Sequence, residues 1–221
     1  MVKQKIIIFG TGQIAEVATT YLQEDKTIEI KAFTVEKKFF NRNNFFNYPV
    51  IPFEDLISKY NPKEFLLFAP ISYKDMNSHR VRIYEKGKSL GYNFYSFIHQ
   101  NCINNALSIG ENCFILENNV IQPFSSIGNN CIIWSGNHIG HHTNIGSHTF
   151  ISSHVIISGS VDIGSKSFLG VNSTIIDNLK IGESSLIGAG CLITKDLPPK
   201  SLVVGKSSKP HEKLNSLKVK I

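Results

Sequence analysis

Residues 139–157 read IGHHTNIGSHTFISSHVII, with an isoleucine at every sixth place: Ile139, Ile145, Ile151 and Ile157. The spacing continues in both directions, so that all sixteen sixth places from 103 to 193 hold isoleucine or, once, leucine. The fourth residue after each of these is usually small or β-branched. A short fixed period indicates a solenoid, in which each strand buries its face only against the next coil. The repeat therefore predicts a β-solenoid in the C-terminal half.

The third residue after each aliphatic marks a second regular place in the repeat. It is usually asparagine, glycine or histidine: Asn112, Asn118, Asn130, Gly136, His142, His148, His154, Asn172, Asn178 and Gly190. Glycine and asparagine tolerate positive φ, and histidine is enriched there too. We therefore expect this place to form the corners of the coil.

These repeats resemble those of the hexapeptide-repeat acyltransferases, over about residues 103–209. The resemblance implies a left-handed parallel β-helix of triangular section, with about eighteen residues in each of about five coils. Residues eighteen apart then stack on one another. Three of the four cysteines fall at small interior places, so packing accounts for them better than disulfides or zinc.

The first 98 residues have a different pattern, in which strands alternate with helices. Predicted strands cover residues 5–9, 28–33, 64–69 and 92–97, and predicted helices begin at Gly10 and cover 53–60 and 76–90. Such alternation is typical of a small α/β, Rossmann-like domain. The predicted organisation is an α/β domain over 1–98, a β-helix domain over 99–209 and a basic tail over 210–221.

The turn GTGQIA, residues 10–15, lies between the first strand and the first helix. A helix N-terminus with free backbone N–H groups favours phosphate. Three interpretations stay open: NAD, a nucleotide-linked ligand, or a structural tight turn. NAD is disfavoured because the domain is half the usual size, and because Thr34 and Val35 precede Glu36 where an acid is expected at the strand end.

The whole chain resembles the sialic-acid O-acetyltransferase and nucleotide-amino-sugar N-acetyltransferase family. The similarity rests on the glycine turn, on PVIPFEDL at 49–56 and on IGAGCLITKDLPPKSLVVG at 187–205. It implies transfer of an acetyl group from acetyl-CoA to a nucleotide-linked amino sugar for a surface glycan, with an O-acetylated sugar as the alternative. The chain departs from the family at Gln13 and Ile14, where many members have His-Gly, and in lacking an acidic pair after the second strand.

The resemblance also implies the binding residues. The nucleotide sugar is expected at the N-terminal domain and near the solenoid, on Gly10, Gly12, Gln13, Ile14, Thr34, Asn137 and His138. Coenzyme A is expected along the later coils, on Gly170, Val171, Gly188, Ala189 and Gly190, with Lys195 and Lys206 near its phosphates. The family further implies a homotrimer with active sites between subunits.

His141 stands apart from the corner histidines, because it lies two places after Ile139. Acyl transfer needs a base near neutral pH and a donor for the oxyanion. Counting eighteen residues onward from His141 leads to Gly159, whose backbone N–H no side chain blocks. The period therefore predicts a catalytic base beside an oxyanion donor. His142 stands where the family has an orienting acid, which makes it either a helper or only a corner. Two alternatives stay open: another acid, for example from a neighbouring subunit, orients His141, or the base is less strongly polarised.

Other functional classes are weighed against this hypothesis. Three histidines hold zinc across a subunit interface in γ-type carbonic anhydrases, which are related solenoids. Corner histidines on three sides of a coil would point apart, so no metal is expected within a subunit, but an intersubunit site and with it a γ-type zinc hydratase stay open. A catalytically silent nucleotide-sugar binder also stays open.

Charge and hydropathy constrain partners and location. The net charge is +6, and seven lysines follow residue 194, which fits either a solvated tail or attraction to a polyanionic small molecule. Nucleic acid is disfavoured because this basic stretch has no aromatic residue for base stacking. No apolar run is long enough to cross a bilayer, and the protein is expected to be cytoplasmic.

Overall fold

The computed structural model describes residues 3–205. Its N-terminal part begins with β1 and α1 and ends with α3. The elements are β1 (Gln4–Phe9), α1 (Gln13–Glu24), β2 (Ile28–Val35), β3 (Asn44–Phe45), β4 (Tyr48–Pro52), α2 (Leu56–Lys59), β5 (Leu66–Phe68) and α3 (Ser78–Ser89), with short 3-10 turns at Lys37–Phe39 and Phe53–Asp55.

The N-terminal strands form one five-stranded sheet in the order β3-β4-β2-β1-β5. All neighbours are parallel except β3 and β4, which form a hairpin that the alternating pattern did not predict. The predicted strand over 92–97 is wrong: Phe94 makes a single bridge to Leu67, while Phe97 already pairs with the solenoid. The α3 helix begins later than predicted because Asp75, Met76 and Asn77 have positive φ.

The C-terminal part consists of two-residue strands in three parallel sheets. The covered sheet contains β6 (Phe97–Ile98), β9 (Phe114–Ile115), β12 (Ile132–Ile133), β15 (Phe150–Ile151), β18 (Phe168–Leu169), β21 (Leu186–Ile187) and β23 (Leu202–Val203). The apolar sheet contains β7 (Ile103–Asn104), β10 (Val120–Ile121), β13 (His138–Ile139), β16 (Ile156–Ile157), β19 (Thr174–Ile175) and β22 (Leu192–Ile193). The polar sheet contains β8 (Ser108–Ile109), β11 (Ser126–Ile127), β14 (Asn144–Ile145), β17 (Asp162–Ile163) and β20 (Lys180–Ile181).

The six-residue repeat is confirmed from Ile109 onward. The aliphatic residues from Ile115 to Ile193 fill the interior and are at most 3% exposed. All ten predicted corner residues have positive φ, as do four more at the same spacing, Phe124, Ser160, Lys166 and Ser184. Stacked parallel strands of this kind fit a left-handed β-helix.

The first coil departs from the predicted register. Ile103 is 60% exposed and pairs with Val120, whereas Asn104 pairs with the interior Ile121. The prediction that Ile103 begins the interior repeat is therefore wrong, because this coil is one residue shorter than the following ones. Within the described residues β7 is the edge strand of its sheet, so no further coil lies below it to cover an interior isoleucine.

The α/β domain packs against the outer face of the covered sheet. Phe114, Ile132 and Phe150 point outward from that sheet and join one apolar cluster with Ile6 and Ala18 of the N-terminal domain. The outer faces of the other two sheets differ. The polar sheet carries a ladder in which Ser126 donates to Asn144 and Asn144 to Asp162, whereas the apolar sheet exposes Ile156 and Leu192.

Arg80 of α3 fastens the two parts together. Its guanidinium is fully buried and donates to the backbone carbonyls of Asn130 and His148 and to Asn77 Oδ1. Asn77 in turn donates to the carbonyl of Lys166 at 3.1 Å. Burial lowers the pKa of Arg80 to about 10. The polar atoms that meet this cation are thus three backbone carbonyls, those of Asn130, His148 and Thr149, and one amide oxygen.

Candidate active site

His141 and Gly159 stack in successive coils at the corner between the apolar and polar sheets, which we call the open corner (residues 122–124, 141–142 and 159–160). A Cβ added to Gly159 would lie 2.6 Å from Cε1 and 2.7 Å from Nε2 of His141. The glycine therefore provides the space in which the imidazole lies, and the stacking predicted by counting is confirmed. The Cε1–Nε2 edge of the ring lies over Gly159.

Neighbouring coils hold the backbone of His141 on both sides. Its N–H donates to Gln122 Oε1 at 2.9 Å, and its carbonyl accepts from the Ser160 N–H at 2.8 Å. The Gly159 carbonyl accepts from Asn178 in the following coil. No acceptor within residues 3–205 bonds the Gly159 N–H. The arrangement offers an anchored imidazole and an available backbone donor.

His142 lies beside His141 at the corner itself, with φ 57°. The two Nδ1 atoms are 3.0 Å apart, and the rings are nearly perpendicular at 85°. The other face of His142 stacks on Phe124, with ring centroids 4.8 Å apart. Phe124 is itself at positive φ, which is uncommon for a bulky residue. Both histidines are exposed to solvent.

His148 occupies the equivalent corner between the polar and covered sheets, which we call the closed corner (Asn112, Asn130 and His148). Its Nδ1 is 2.8 Å from Asn130 Nδ2, and its ring packs edge-on against Tyr84. Burial, followed by the charges of Arg80 and Lys166, lowers the pKa of His148 to about 4. This histidine is neutral at pH 7 and part of the junction between the two domains.

The corner histidines do not meet. His154 lies at the third corner, where its ring would contact a Cβ added to Gly136. In the part of the chain that the structure describes, no group of three or more histidine, cysteine or acidic side chains could hold a metal ion. The histidine-rich segment therefore forms no metal cluster within residues 3–205, and only His141 and His142 are in contact.

The glycine turn lines a cavity of about 440 Å³ at the ends of β1, β2 and β5. Its walls include Gly10, Gly12, Gln13, Ile14 and Glu36. An added Cβ on Gly12 would meet nothing within 4 Å, so the turn leaves open space beside the start of α1. The position suits a phosphate-bearing ligand.

The substrate contact predicted for Thr34 is corrected by its burial. Thr34 is 0% exposed, and its hydroxyl donates to the carbonyl of Ile51 at 3.0 Å. Its own carbonyl accepts from Gly10 and holds the glycine turn. Thr34 thus supports the cavity from behind, and Glu36 is the residue of this strand end that lines it.

Glu36 is the acidic residue that lines the cavity. It is 6% exposed and receives two hydrogen bonds from Arg82, each at 2.8 Å. These bonds hold the pKa of Glu36 below its usual value. His79, whose Nε2 lies 3.6 Å from Glu36, has its pKa lowered by burial and then by Arg82. The carboxylate is ionised and held in one orientation.

Asn137 was predicted to bind substrate, and the structure contradicts this. The residue is 2% exposed inside the solenoid. It donates to Asn119 Oδ1 at 2.9 Å and to the carbonyl of Trp134, and its Oδ1 accepts from the Val155 N–H at 2.7 Å. Asn137 therefore belongs to an internal ladder of asparagines. His138 is partly exposed on the outer face of the apolar sheet.

The residues predicted for coenzyme A divide between two corners. Gly170, Val171, Gly188, Ala189 and Gly190 stack at the corner between the covered and apolar sheets, where the Gly190 N–H donates to Val171. Lys195 lies two residues after Ile193, which assigns it to the open corner with His141. Within one chain, the apolar sheet therefore lies between the glycine-rich corner and Lys195. Lys206 lies outside the described residues.

Three residues of these sites were not identified from the sequence. Gln122 and Phe124 lie at the open corner in the coil before His141, so counting eighteen residues back from Gly140 and His142 would have found them. Glu36 was noted only as arriving too late after the strand. The structure extends β2 to Val35, which brings the acid to the strand end.

Comparisons with known proteins agree with this architecture. Residues 107–141 and 124–159 match the family described as Bacterial transferase hexapeptide (six repeats). None of the curated proteins compared with the chain matches it.

Solved structures match over nearly the whole chain. The acetyltransferase domain of PglB from Neisseria gonorrhoeae FA1090 is 22% identical, covers 95% of this chain and 100% of its own, and has a TM-score of 0.81. A mutant of perosamine N-acetyltransferase from Caulobacter crescentus, in complex with CoA and GDP-perosamine, is 22% identical over 91% of this chain and 93% of its own, with a TM-score of 0.80.

WeeI from Acinetobacter baumannii AYE is 18% identical over 92% of this chain and 97% of its own, and its TM-score is 0.80. At these identities the likeness establishes the fold. Residues 107–159 match the hexapeptide repeats of bacterial transferases, and the chain from its N-terminal domain to its last coils has the fold of these acetyltransferase structures.

Proposed function

We propose that this protein transfers the acetyl group of acetyl-CoA to the amine of a nucleotide-linked amino sugar. The observation that carries the proposal is the stacking of His141 on Gly159, with the Cε1–Nε2 edge of the ring over the glycine. Two structural neighbours support it, because one is an N-acetyltransferase in complex with CoA and GDP-perosamine and another is an acetyltransferase domain in complex with acetyl coenzyme A.

His141 acts as the general base. The amine nitrogen attacks the thioester carbonyl carbon, and its proton passes to His141 Nε2 as the carbon–nitrogen bond forms. The Gly159 N–H donates to the oxyanion of the tetrahedral intermediate. The carbon–sulfur bond then breaks, and the sulfur leaves as a thiolate that takes the proton from the imidazolium. An amide and free coenzyme A result.

The active site is completed by a second copy of the chain. The α/β domain, with its 440 Å³ cavity, lies against the covered sheet, whereas the open corner is the corner opposite that sheet. A ligand in the cavity would therefore be remote from His141 of its own chain. The exposed apolar residues Ile103, Ile156 and Leu192 supply a face for neighbouring copies. This supports the homotrimer that the family resemblance implies.

Coenzyme A fits the same assembly. The family resemblance assigns coenzyme A to the corner of Gly170 and Gly188, where glycine lets the backbone of the next coil approach closely. Lys195 at the open corner of a neighbouring copy would supply a cation for its phosphates. Because the apolar sheet separates these groups within one chain, packing of two apolar sheets is what would bring them together.

The direct test is acetyl-CoA-dependent thiol release with a panel of UDP-, GDP- and dTDP-linked amino sugars, followed by mass spectrometry of the sugar product. We expect release that depends on the acceptor amine, and a product that resists hydroxylamine because it is an amide. Release with hydroxyl acceptors alone, giving a hydroxylamine-labile ester, would contradict N-acetylation. Binding of the nucleotide sugar without release under any acceptor would indicate a non-catalytic binder instead.

A further inference from the structure

The pair of imidazoles at the open corner has a feature that the base assignment does not explain. His141 places the Cε1–Nε2 edge of its ring over Gly159 and its Nδ1 beside His142, with 3.0 Å between the two Nδ1 atoms. A hydrogen bond at this distance needs one nitrogen protonated and the other bare. Which of the two Nδ1 atoms donates therefore determines whether the hydrogen of neutral His141 lies on its Nδ1 or on its Nε2.

Only one of the two arrangements suits a base. If His142 donates, His141 Nδ1 is bare and its Nε2 carries the hydrogen, so Nε2 cannot accept a proton. If His141 donates, Nε2 is bare and faces Gly159. We propose that His142 is the positioning residue of the site, accepting a hydrogen bond at Nδ1 from His141 Nδ1–H. This inference rests on the proposed function, since the need for a base selects the arrangement.

The neutral imidazole of His142 can orient His141 here, as a carboxylate would. When His141 Nε2 takes the proton of the acceptor amine, the ring becomes an imidazolium and its Nδ1–H bond to His142 becomes charge-assisted and stronger. No further proton moves, because the Nδ1 hydrogen stays between the two rings. The pair then releases the Nε2 proton to the coenzyme A thiolate.

The backbone of the corner and the ring of Phe124 hold His142 in place beside His141. Its backbone is fixed at φ 57°, and its N–H donates to the carbonyl of Pro123 in the preceding coil. Phe124 stacks on its outer face with 30° between the ring planes. The exposed Phe124 keeps a strained φ of 65° at this place, and backbone strain of this kind is concentrated at functional sites.

The test compares three variants by steady-state kinetics. His142→Gly removes the imidazole at a φ that glycine accepts, and His142→Asn keeps an acceptor oxygen at a φ that five corner asparagines share. His154→Gly is the matched control, because His154 has φ 58° at an equivalent corner without a histidine neighbour. We expect His142→Gly to lower kcat about tenfold, the effect of one hydrogen bond, with KM unchanged.

His142→Asn should recover kcat to within about threefold of the unmodified protein, and His154→Gly should leave it unchanged. Equal kcat for His142→Gly and the unmodified protein would overturn the proposal, as would a loss that asparagine does not restore. If the unmodified protein releases no thiol with any acceptor, the proposed function itself fails, which is a different outcome.

Nitrogen-15 NMR of histidine-labelled protein gives a readout that does not depend on turnover. We expect His141 to be protonated at Nδ1 and bare at Nε2 at pH 8, and to lose this preference in His142→Gly. Protonation of His141 at Nε2, or a tautomer that is the same in both proteins, would contradict the assigned direction of the hydrogen bond.

Discussion

The open and closed corners have almost the same backbone and opposite chemistry. His142 and His148 occupy the same place in the hexad, with φ of 57° and 66°. His148 is enclosed by Asn130, Tyr84 and the buried Arg80, whereas His141 and His142 face solvent. The repeat therefore supplies the position of a histidine, and what packs on the corner decides whether it is structural or available for chemistry.

Opening the closed corner should produce the largest effect. Arg80→Leu leaves the Asn130 and His148 carbonyls and the Asn77 amide without their donor, inside a packed junction. We expect a loss of about 3 kcal/mol in the free energy of unfolding, measured by urea denaturation. Lys86→Leu on the same helix breaks the exposed ion pair with Glu54 and the contact of the ammonium with the Phe53 ring, and should cost less than about 1 kcal/mol. Equal losses would contradict the account of the junction.

Filling the open corner should remove activity without unfolding the protein. In Gly159→Ala the new Cβ would lie 2.7 Å from His141 Nε2, so the imidazole must move away. We expect kcat/KM for acetyl transfer to fall about 100-fold, while the unfolding midpoint stays nearly constant. Ser165→Ala, at the same hexad place on another corner, is the control. A Gly159→Ala enzyme with normal kcat/KM would show that the ring needs no such space.

The smallest effect is expected from replacing the closed-corner histidine by asparagine, the residue that occupies this corner in the two preceding coils. His148→Asn places a third asparagine above Asn112 and Asn130, at a φ that asparagine accepts. The folded pKa of His148 is about 4, below the 6.5 of an unfolded histidine, so the unfolded state binds the proton first. Its contribution to stability is therefore complete above pH 6.5 and is lost as the pH falls toward 4.

Urea midpoints at pH 7.5 and pH 5 measure this contribution. We expect the unmodified protein to lose more stability between the two values than His148→Asn does, and acetyl transfer at pH 7.5 to be equal in both. A steeper pH dependence in the variant would mean that His148 is charged in the folded state.

The solenoid and its chemistry could be predicted because a strict period encodes neighbours. Counting sixes identified the interior residues and the corners, and counting eighteens placed Gly159 on His141. The same period led to a wrong prediction at Ile103, because the first coil is one residue shorter than the following coils. A repeat reports which residues stack, but it does not report where the stack begins.

Which residues cover each face of the solenoid depends on tertiary contacts, and a local sequence pattern does not encode these contacts. Asn137 occupies an interior place and was expected to meet substrate, but Asn119 and Val155 satisfy it within the solenoid. Arg80 lies on an ordinary helix and gains its role from corner carbonyls at residues distant in sequence. The split of the coenzyme A residues between two corners likewise follows from the order of the three sheets.

Within residues 3–205, no helix combines the length and the apolar character needed to span a bilayer.

The most direct measurement is the rate of acetyl transfer by His141→Ala beside His148→Asn, with saturating acetyl-CoA and the best acceptor from the panel. The first variant removes the imidazole of the open corner and the second that of the closed corner. The account predicts that His141→Ala loses at least about 100-fold in kcat, the usual contribution of a general base, while His148→Asn keeps the full rate. Near-normal turnover by His141→Ala would contradict it.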